Sequence, residues 1–429
     1  MYPFEVIAVF LTLAAVFSWL NDRWLALPRT IGLMTISLAV SLMLLLPIPG
    51  TPFVEDIVRN MLGELDLRET LLHGVLGFLL FAGALHIRLR DLLQQKWVIL
   101  TLASVSVVIS TAVVGAGAYT LFGWLGLSLP VIYCLLFGAL ISPTDPIAVM
   151  GILKSAGAPK SLEDQIAGEA LFNDGVAVVI FLALYGAVSG ATSMSASDLS
   201  VLFVREAAGG LALGLSAGWI SLRLLAKVKG DSVGIMITVA LACGSFALAD
   251  RLGVSAPIAV AVAGLMVGNQ GRDSLIAPRI MQRVDNFWEL ADDILNAVLF
   301  VHIGLEVMVI ALTLDYILAG MLAIPLVLFA RAVGVGLPIG LMRRFRGFSP
   351  GVVTLLTWGG LRGGVSVALA LSLPDGEARD ILVTVTYLVV AFSVLVQGLT
   401  LAPVIRAHAA QAEKELSRAR FTGERPNAG

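Results

Sequence analysis

Two short stretches carry groups able to do chemistry in surroundings that leave them little room. The first is Ser142-Pro143-Thr144-Asp145-Pro146. The second is Gly168-Glu169-Ala170-Leu171-Phe172-Asn173-Asp174-Gly175. Both sit inside long apolar runs, where an ionisable side chain marks a functional site by default. Hard cations take oxygen ligands. Asp174, the hydroxyl or carbonyl of Thr144 and carbonyls freed near Pro143 are the candidate oxygens. A carboxyl group taken out of water holds its proton more firmly, so a buried acid here is suited to trading a proton for a cation near neutral pH. Residues four apart share a helix face. Glu169 therefore pairs with Asn173, and Ala170 with Asp174, which leaves space beside the Asp174 carboxylate.

The elements that must position these groups are membrane helices. Of 429 residues, 58% are hydrophobic and 14% charged, with a mean hydropathy of +0.94. A soluble domain carries about 25% charged residues. The pattern is that of an all-α polytopic membrane protein, without the short alternating segments of a membrane β-barrel. A span needs roughly 20 apolar residues. Thirteen runs qualify, at about 3–20, 29–46, 68–87, 97–122, 130–153, 162–188, 200–222, 232–249, 254–268, 286–312, 316–341, 351–373 and 380–405. The ninth is short enough to be a broken or tilted helix. The first has neither a basic region before it nor a small-residue cleavage site after it, and is read as a retained helix. Cys134 and Cys243 lie in separate runs and His73, His86, His302 and His408 are scattered, so neither a disulfide framework nor a metal cluster is expected. No cofactor is expected, and a net charge of −2 argues against nucleic acid.

Two of the runs are interrupted. Pro143 and Pro146 remove backbone donors in the fifth and disrupt the turn before them. Gly359-Gly360-Leu361-Arg362-Gly363-Gly364 loosens the twelfth. Irregular backbone at membrane depth is tolerated only where it lines a cavity or is packed in protein. The fifth and twelfth runs are seven apart and so cross in opposite directions, as in an inverted-topology repeat. Paired broken helices in matching positions of two halves point to a transporter site. The expected organisation is a transmembrane unit over 1–408, with repeats at about 1–190 and 230–408 and a linker helix at 200–222, followed by a short cytoplasmic tail at 409–429. Where the breaks cross, Asp145 offsets the positive helix N-termini and Arg362 the negative C-termini.

Lys and Arg gather in alternate loops. Only Arg59, Arg68, Arg205, Arg251 and Arg379 fall in the others. That asymmetry puts the N-terminus outside and the C-terminus in the cytoplasm, which needs an odd number of spans. Arg331 and Arg362 alone lie inside apolar runs and need internal partners. Asp145, Glu169 and Asp174 are the candidates. The acidic stretch Pro49 to Glu69 is external, as a loop or a re-entrant piece. His302 reads as a satisfied core histidine. Glu289, Asp292 and Asp293 read as a solvated face, with a cation-attracting funnel as the alternative. His73 and Glu306 are given no role.

At these residues the chain resembles the NhaP/NHE-type Na⁺/H⁺ antiporters of the monovalent cation/proton antiporter-1 family. The resemblance rests on Thr144-Asp145-Pro146, on Gly168-Glu169 through Asn173-Asp174-Gly175, on Arg331, and on Gly359-Gly360-Leu361-Arg362-Gly363. It implies the NhaA-like antiporter fold, a multi-pass protein of the plasma (inner) membrane, a homodimer with a core and a dimerisation domain, and electroneutral exchange, which the Asn-Asp pair marks. It implies further that Asp174 carries ion and proton, that Asp145, Thr144 and Asn173 complete the ion and proton site, and that Asp174 and Thr144 ligate Na⁺. By the same resemblance Glu169 pairs with Arg331 as a structural brace and Arg362 stabilises the helix crossing. Many relatives carry serine, an ion ligand, where this chain has Ala170, and often an acid where it has Ala82. Ala170 keeps K⁺/H⁺ exchange in play beside Na⁺ or Li⁺. A different class of function, an intramembrane aspartyl protease using Asp145 and Asp174 as a proton-sharing pair, would have no evident need for thirteen helices or two buried arginines.

Overall fold

The computed structural model describes residues 3–45, 75–188, 196–272, 276–348 and 351–408. Every regular element among them is helical. In chain order they are α1 (Pro3–Leu20), α2 (Arg29–Leu44), α3 (Leu76–His86), α4 (Leu89–Gln94), α5 (Lys96–Trp124), α6 (Val131–Ile141), α7 (Pro146–Ala156) and α8 (Lys160–Val188). There follow α9 (Ala196–Leu225), α10 (Asp231–Leu252), α11 (Ala256–Gln270), α12 (Pro278–Glu306), α13 (Leu314–Met342), α14 (Val352–Trp358), α15 (Gly364–Leu371) and α16 (Glu377–His408). Among the described residues, seven helices are long and apolar enough to cross a membrane by length and composition, and α2, α3, α6 and α11 are shorter apolar helices. The chain is thus an all-helical, polytopic membrane protein. The acidic stretch Pro49 to Glu69, His73, the start of the third run and the tail at 409–429 lie outside the described residues.

The prolines and glycines act where backbone chemistry says they must. The fifth apolar run is two helices: α6 stops at Ile141, Ser142 to Asp145 are irregular, and Pro146 opens α7. Proline suits that first position because its missing N–H would have had no partner in the helix. The twelfth run is likewise split into α14 and α15, with Gly359 to Gly363 between them. The ninth run is an unbroken helix. α11 is continuous over 15 residues, capped by the Ser255 side chain, and buried along most of its length. The tenth run begins earlier than its apolar stretch indicates. α12 starts at Pro278, and Arg279, Arg283, Asp285 and Glu289 ride on its first turns. At 29 residues it is about 44 Å long, well beyond the ~30 Å hydrocarbon core, so its charged first half need not lie in lipid.

Small residues let the site's supports approach closely. A Cβ at Gly138 of α6 would collide with the Thr111 carbonyl of α5, which fixes α6 against its neighbour by backbone contact. A π-helical turn, Asn21–Leu25, follows α1, and two further helices carry one within their length, Leu102–Ser106 in α5 and Ser393–Gln397 in α16. Such turns occur often at functional sites, and the last lies beside the α14–α15 break.

Candidate functional site: the crossing of two interrupted helices

The two breaks meet. The Asp145 amide donates to the Leu361 carbonyl at 2.8 Å, so one irregular strand of backbone is stitched directly to the other. The carbonyls left open at the end of α6 are met by Arg362, whose Nη1 donates to Ser142 O at 2.5 Å and to Pro143 O at 2.9 Å. Arg362 is buried, with 3% of its surface exposed. A guanidinium on the C-terminal carbonyls of a helix offsets that end's negative dipole. The second break is held from α16: the Arg362 amide donates to Ser393 Oγ at 2.9 Å and Gln397 Nε2 to the Trp358 carbonyl at 3.2 Å. Both partners come from the π-helical turn, a role no local pattern at Ser393 or Gln397 announces.

Asp145 stands just before α7 and is half-buried. Its carboxylate also lies over Gly363, immediately ahead of α15, where a Cβ would overlap Asp145 Cβ, Cγ and Oδ2. One carboxylate thus serves the N-terminal ends of two half-helices, where negative charge is favoured. Gly363→Ala is expected to push Asp145 aside and, on the activity that the sequence resemblance implies, to lower ion exchange by about tenfold or more, since small misplacements of a binding group are costly. Rates in reconstituted vesicles with protein amount held equal check this; parental activity would show that Asp145 need not sit against the second break.

α8 carries the remaining site residues and is buried around them. Asn173 is fully enclosed and its Nδ2 donates to Thr144 Oγ1 at 2.7 Å. This bond ties α8 to the first break and leaves the threonine oxygen a second lone pair. The Asn173 Oδ1 is enclosed without a hydrogen-bond partner. Asp174 follows, 5% exposed, near enough to Asp145 for their charges to interact and without an ion-pair partner among the described residues. Ala170, one turn before Asp174, is buried and offers no oxygen. One turn nearer the start of α8 than Asn173, Glu169 forms a two-armed ion pair with Arg331 of α13. Nη1 reaches Oε1, and Nη2 lies 2.9 Å from Oε2. Arg331 Nη2 also donates to the Leu356 carbonyl at 3.3 Å. A single buried pair therefore joins α8, α13 and α14. Thr144, Asp145, Asn173 and Asp174 come together at the crossing. Arg362 is part of it, and Glu169 and Arg331 brace its flank.

Other residues stand apart from the site or were not anticipated. His302 and Glu306, one turn apart on α12, are both buried with Nε2 and Oε2 3.0 Å apart, and the imidazole packs on Phe10. The i, i+4 spacing of the two was the signal that could have given Glu306 a partner. Glu289 and Asp293 are exposed, and Asp293 pairs with Arg29 at 2.5 Å. Asp292 departs from the solvated face expected of it: it is half-buried, and its charge acts on Asp145.

These features define a helical membrane protein with an acid enclosed where two interrupted helices cross. The family described as "Sodium/hydrogen exchanger, transmembrane" matches residues 7–407, and the chain belongs to it. It is 46% identical to the Na⁺/H⁺ antiporter NhaP of Pseudomonas aeruginosa over 94% of this chain and 96% of that one. It is 34% identical to the Na⁺/H⁺ antiporter NhaH of Halobacillus dabanensis over 88% and 91%. The fold is similar to that of the sodium proton antiporter MjNhaP1 from Methanocaldococcus jannaschii at pH 8, with a TM-score of 0.75 at 20% identity, covering 96% of this chain and 99% of that one. The family is one of transporters and not of enzymes, which removes the protease reading of Asp145 and Asp174.

Proposed function

We propose that this chain is an electroneutral Na⁺(Li⁺)/H⁺ antiporter in which cation and proton compete for Asp174 by alternating access. The observation that carries the reading is the enclosed Asp174 carboxyl beside Thr144, Asn173 and Asp145 at the crossing of the two breaks. Asp174, the free lone pair of Thr144 Oγ1 and the unpartnered Oδ1 of Asn173 form an oxygen set suited to a hard monovalent cation. Asn173 is neutral and Glu169 is spent on Arg331, so Asp174 is left to carry one proton or one cation. Either load gives the site the same charge, which makes the exchange electroneutral. Asp145 holds the half-helix N-termini and adds negative potential. Arg362 holds the opposite ends, and Glu169 with Arg331 braces the core.

The proposed organisation has thirteen spans, inverted repeats at about 1–190 and 230–408 with a linker helix at 200–222, and a homodimer in the plasma (inner) membrane. The N-terminus lies outside and the C-terminus inside. The names of the relatives at 46% and 34% identity support Na⁺ as the ion. Ala170 supports K⁺ as the second reading, because the face beside Asp174 lacks a hydroxyl and leaves room for a larger ion. Vesicles holding the purified protein under an imposed pH gradient test the choice. Added Na⁺ or Li⁺ is expected to dissipate the gradient at lower concentration than K⁺. A response to K⁺ alone would replace Na⁺ with K⁺ as the substrate, and a response to no monovalent cation would overturn the function.

A further inference from the structure

The face of α12 that looks toward the crossing carries oxygens the described mechanism does not use. Residues 292, 296 and 299 lie on one side of this helix, spaced four and three apart. Leu299 packs against Gly364 at the start of α15, which fixes that side toward the second break. Two turns away Asp292 is half-buried, whereas Glu289 and Asp293 beside it are exposed. Its charge and that of Asp145 act on one another. Asn296, between Asp292 and Leu299, is 4% exposed. Its amide nitrogen is committed to Asp292, donating to that residue's carbonyl at 2.8 Å and lying within hydrogen-bonding reach of its carboxyl group. Its acceptor end is thus left over. Asn296 Oδ1 and Asp292 Oδ1 are both enclosed without a hydrogen-bond partner.

Leaving a buried acceptor unmet is unfavourable, and here two such acceptors share one helix face. A carboxylate oxygen and an amide oxygen, one turn apart and facing a further carboxylate, are ligands for a hard cation rather than for an anion or an apolar group. We propose that Asp292 and Asn296 form a vestibule site for the transported monovalent cation, which pauses there between the charged end of α12 and the Asp145–Asp174 pair. The inference rests on the antiport reading above and adds to it a waiting position outside the carrier site. The cation meets Asp292 Oδ1 and Asn296 Oδ1 with part of its water shell kept. It then moves toward Asp145, whose charge lies ahead of it, before reaching Asp174.

Proteoliposome kinetics separate this from a merely structural role. Asp292→Asn keeps the size of the side chain and is expected to raise KM for Na⁺ about tenfold, the low end for loss of a focusing charge, with a much smaller change in maximal rate. Asp292→Glu is expected to restore most of the affinity. Asn296→Leu removes an oxygen and no charge, and is expected to raise KM in the same direction. Parental KM in Asp292→Asn would overturn the proposal. A shift in Asp292→Asn without one in Asn296→Leu would also overturn it, because the effect would then be diffuse attraction and not a site. Continued exchange by an Asp174→Asn protein would instead overturn the antiport reading itself, so the two failures are distinguishable.

Discussion

Replacing Asp174 with asparagine is expected to abolish cation-driven proton movement, by at least about 100-fold, the scale of losing the one group that the proposed exchange requires, and to leave the protein folded. The side chain keeps its size and its hydrogen-bonding reach but neither binds a proton nor balances a cation. Asp174 is 5% exposed and has no ion-pair partner among the described residues. Holding an unpaired acid in such a place is costly, so its removal is expected to leave thermal stability unchanged or raised. Rates of pH-gradient dissipation in vesicles, with melting curves on the same preparations, check both halves. An active Asp174→Asn protein would move the carrier elsewhere, with Asp145 the first alternative.

Replacing Arg331 with alanine has the opposite signature. It removes the partner of Glu169, whose side chain is 1% exposed, and strands a carboxylate inside the protein. Breaking a buried pair from one side costs about 3–5 kcal/mol, a large part of a typical stability of about 5–15 kcal/mol. The link to the Leu356 carbonyl goes with it, so α14 loses a tie to α13. The expected result is a marked fall in melting temperature and in folded yield, with activity lost in proportion to folded protein. Changing both partners to leucine is expected to recover most of the stability, because apolar packing substitutes for a buried pair at little cost. Recovery of stability without transport would give the pair a transport role beyond bracing. A single Arg331→Ala protein that melts like the parent would show that Glu169 is neutralised some other way.

Much of the site was legible because the membrane makes exceptions conspicuous. Pro143, Pro146 and the glycines around Arg362 stand out in apolar runs, and the helices break at those points. Asp145, Glu169, Asn173 and Asp174 stood out for the same reason. Other features depend on partners distant in sequence. Nothing near Ser393 or Gln397 shows that a π-helical turn of α16 will hold the second break. Charge alone does not separate Asp292 from Asp293. The helix turns one toward Asp145 and the other toward Arg29, and only packing decides which. The start of α12 was missed because its first turns carry charge and escape a count of apolar residues, although Pro278 marks that start. The ninth run looked too short to be whole. α11 is nonetheless continuous over 15 residues, capped by Ser255 and buried along most of its length.

In the proposed exchange, proton and cation occupy Asp174 in turn and never together. Initial rates of exchange over a grid of Na⁺ concentration and pH measure this directly. Acidifying the medium is expected to raise KM for Na⁺ in step with proton concentration while the maximal rate at saturating Na⁺ stays constant. A maximal rate that falls with acidity at an unchanged KM would mean that the proton acts at a separate group, and would contradict a single shared carboxylate.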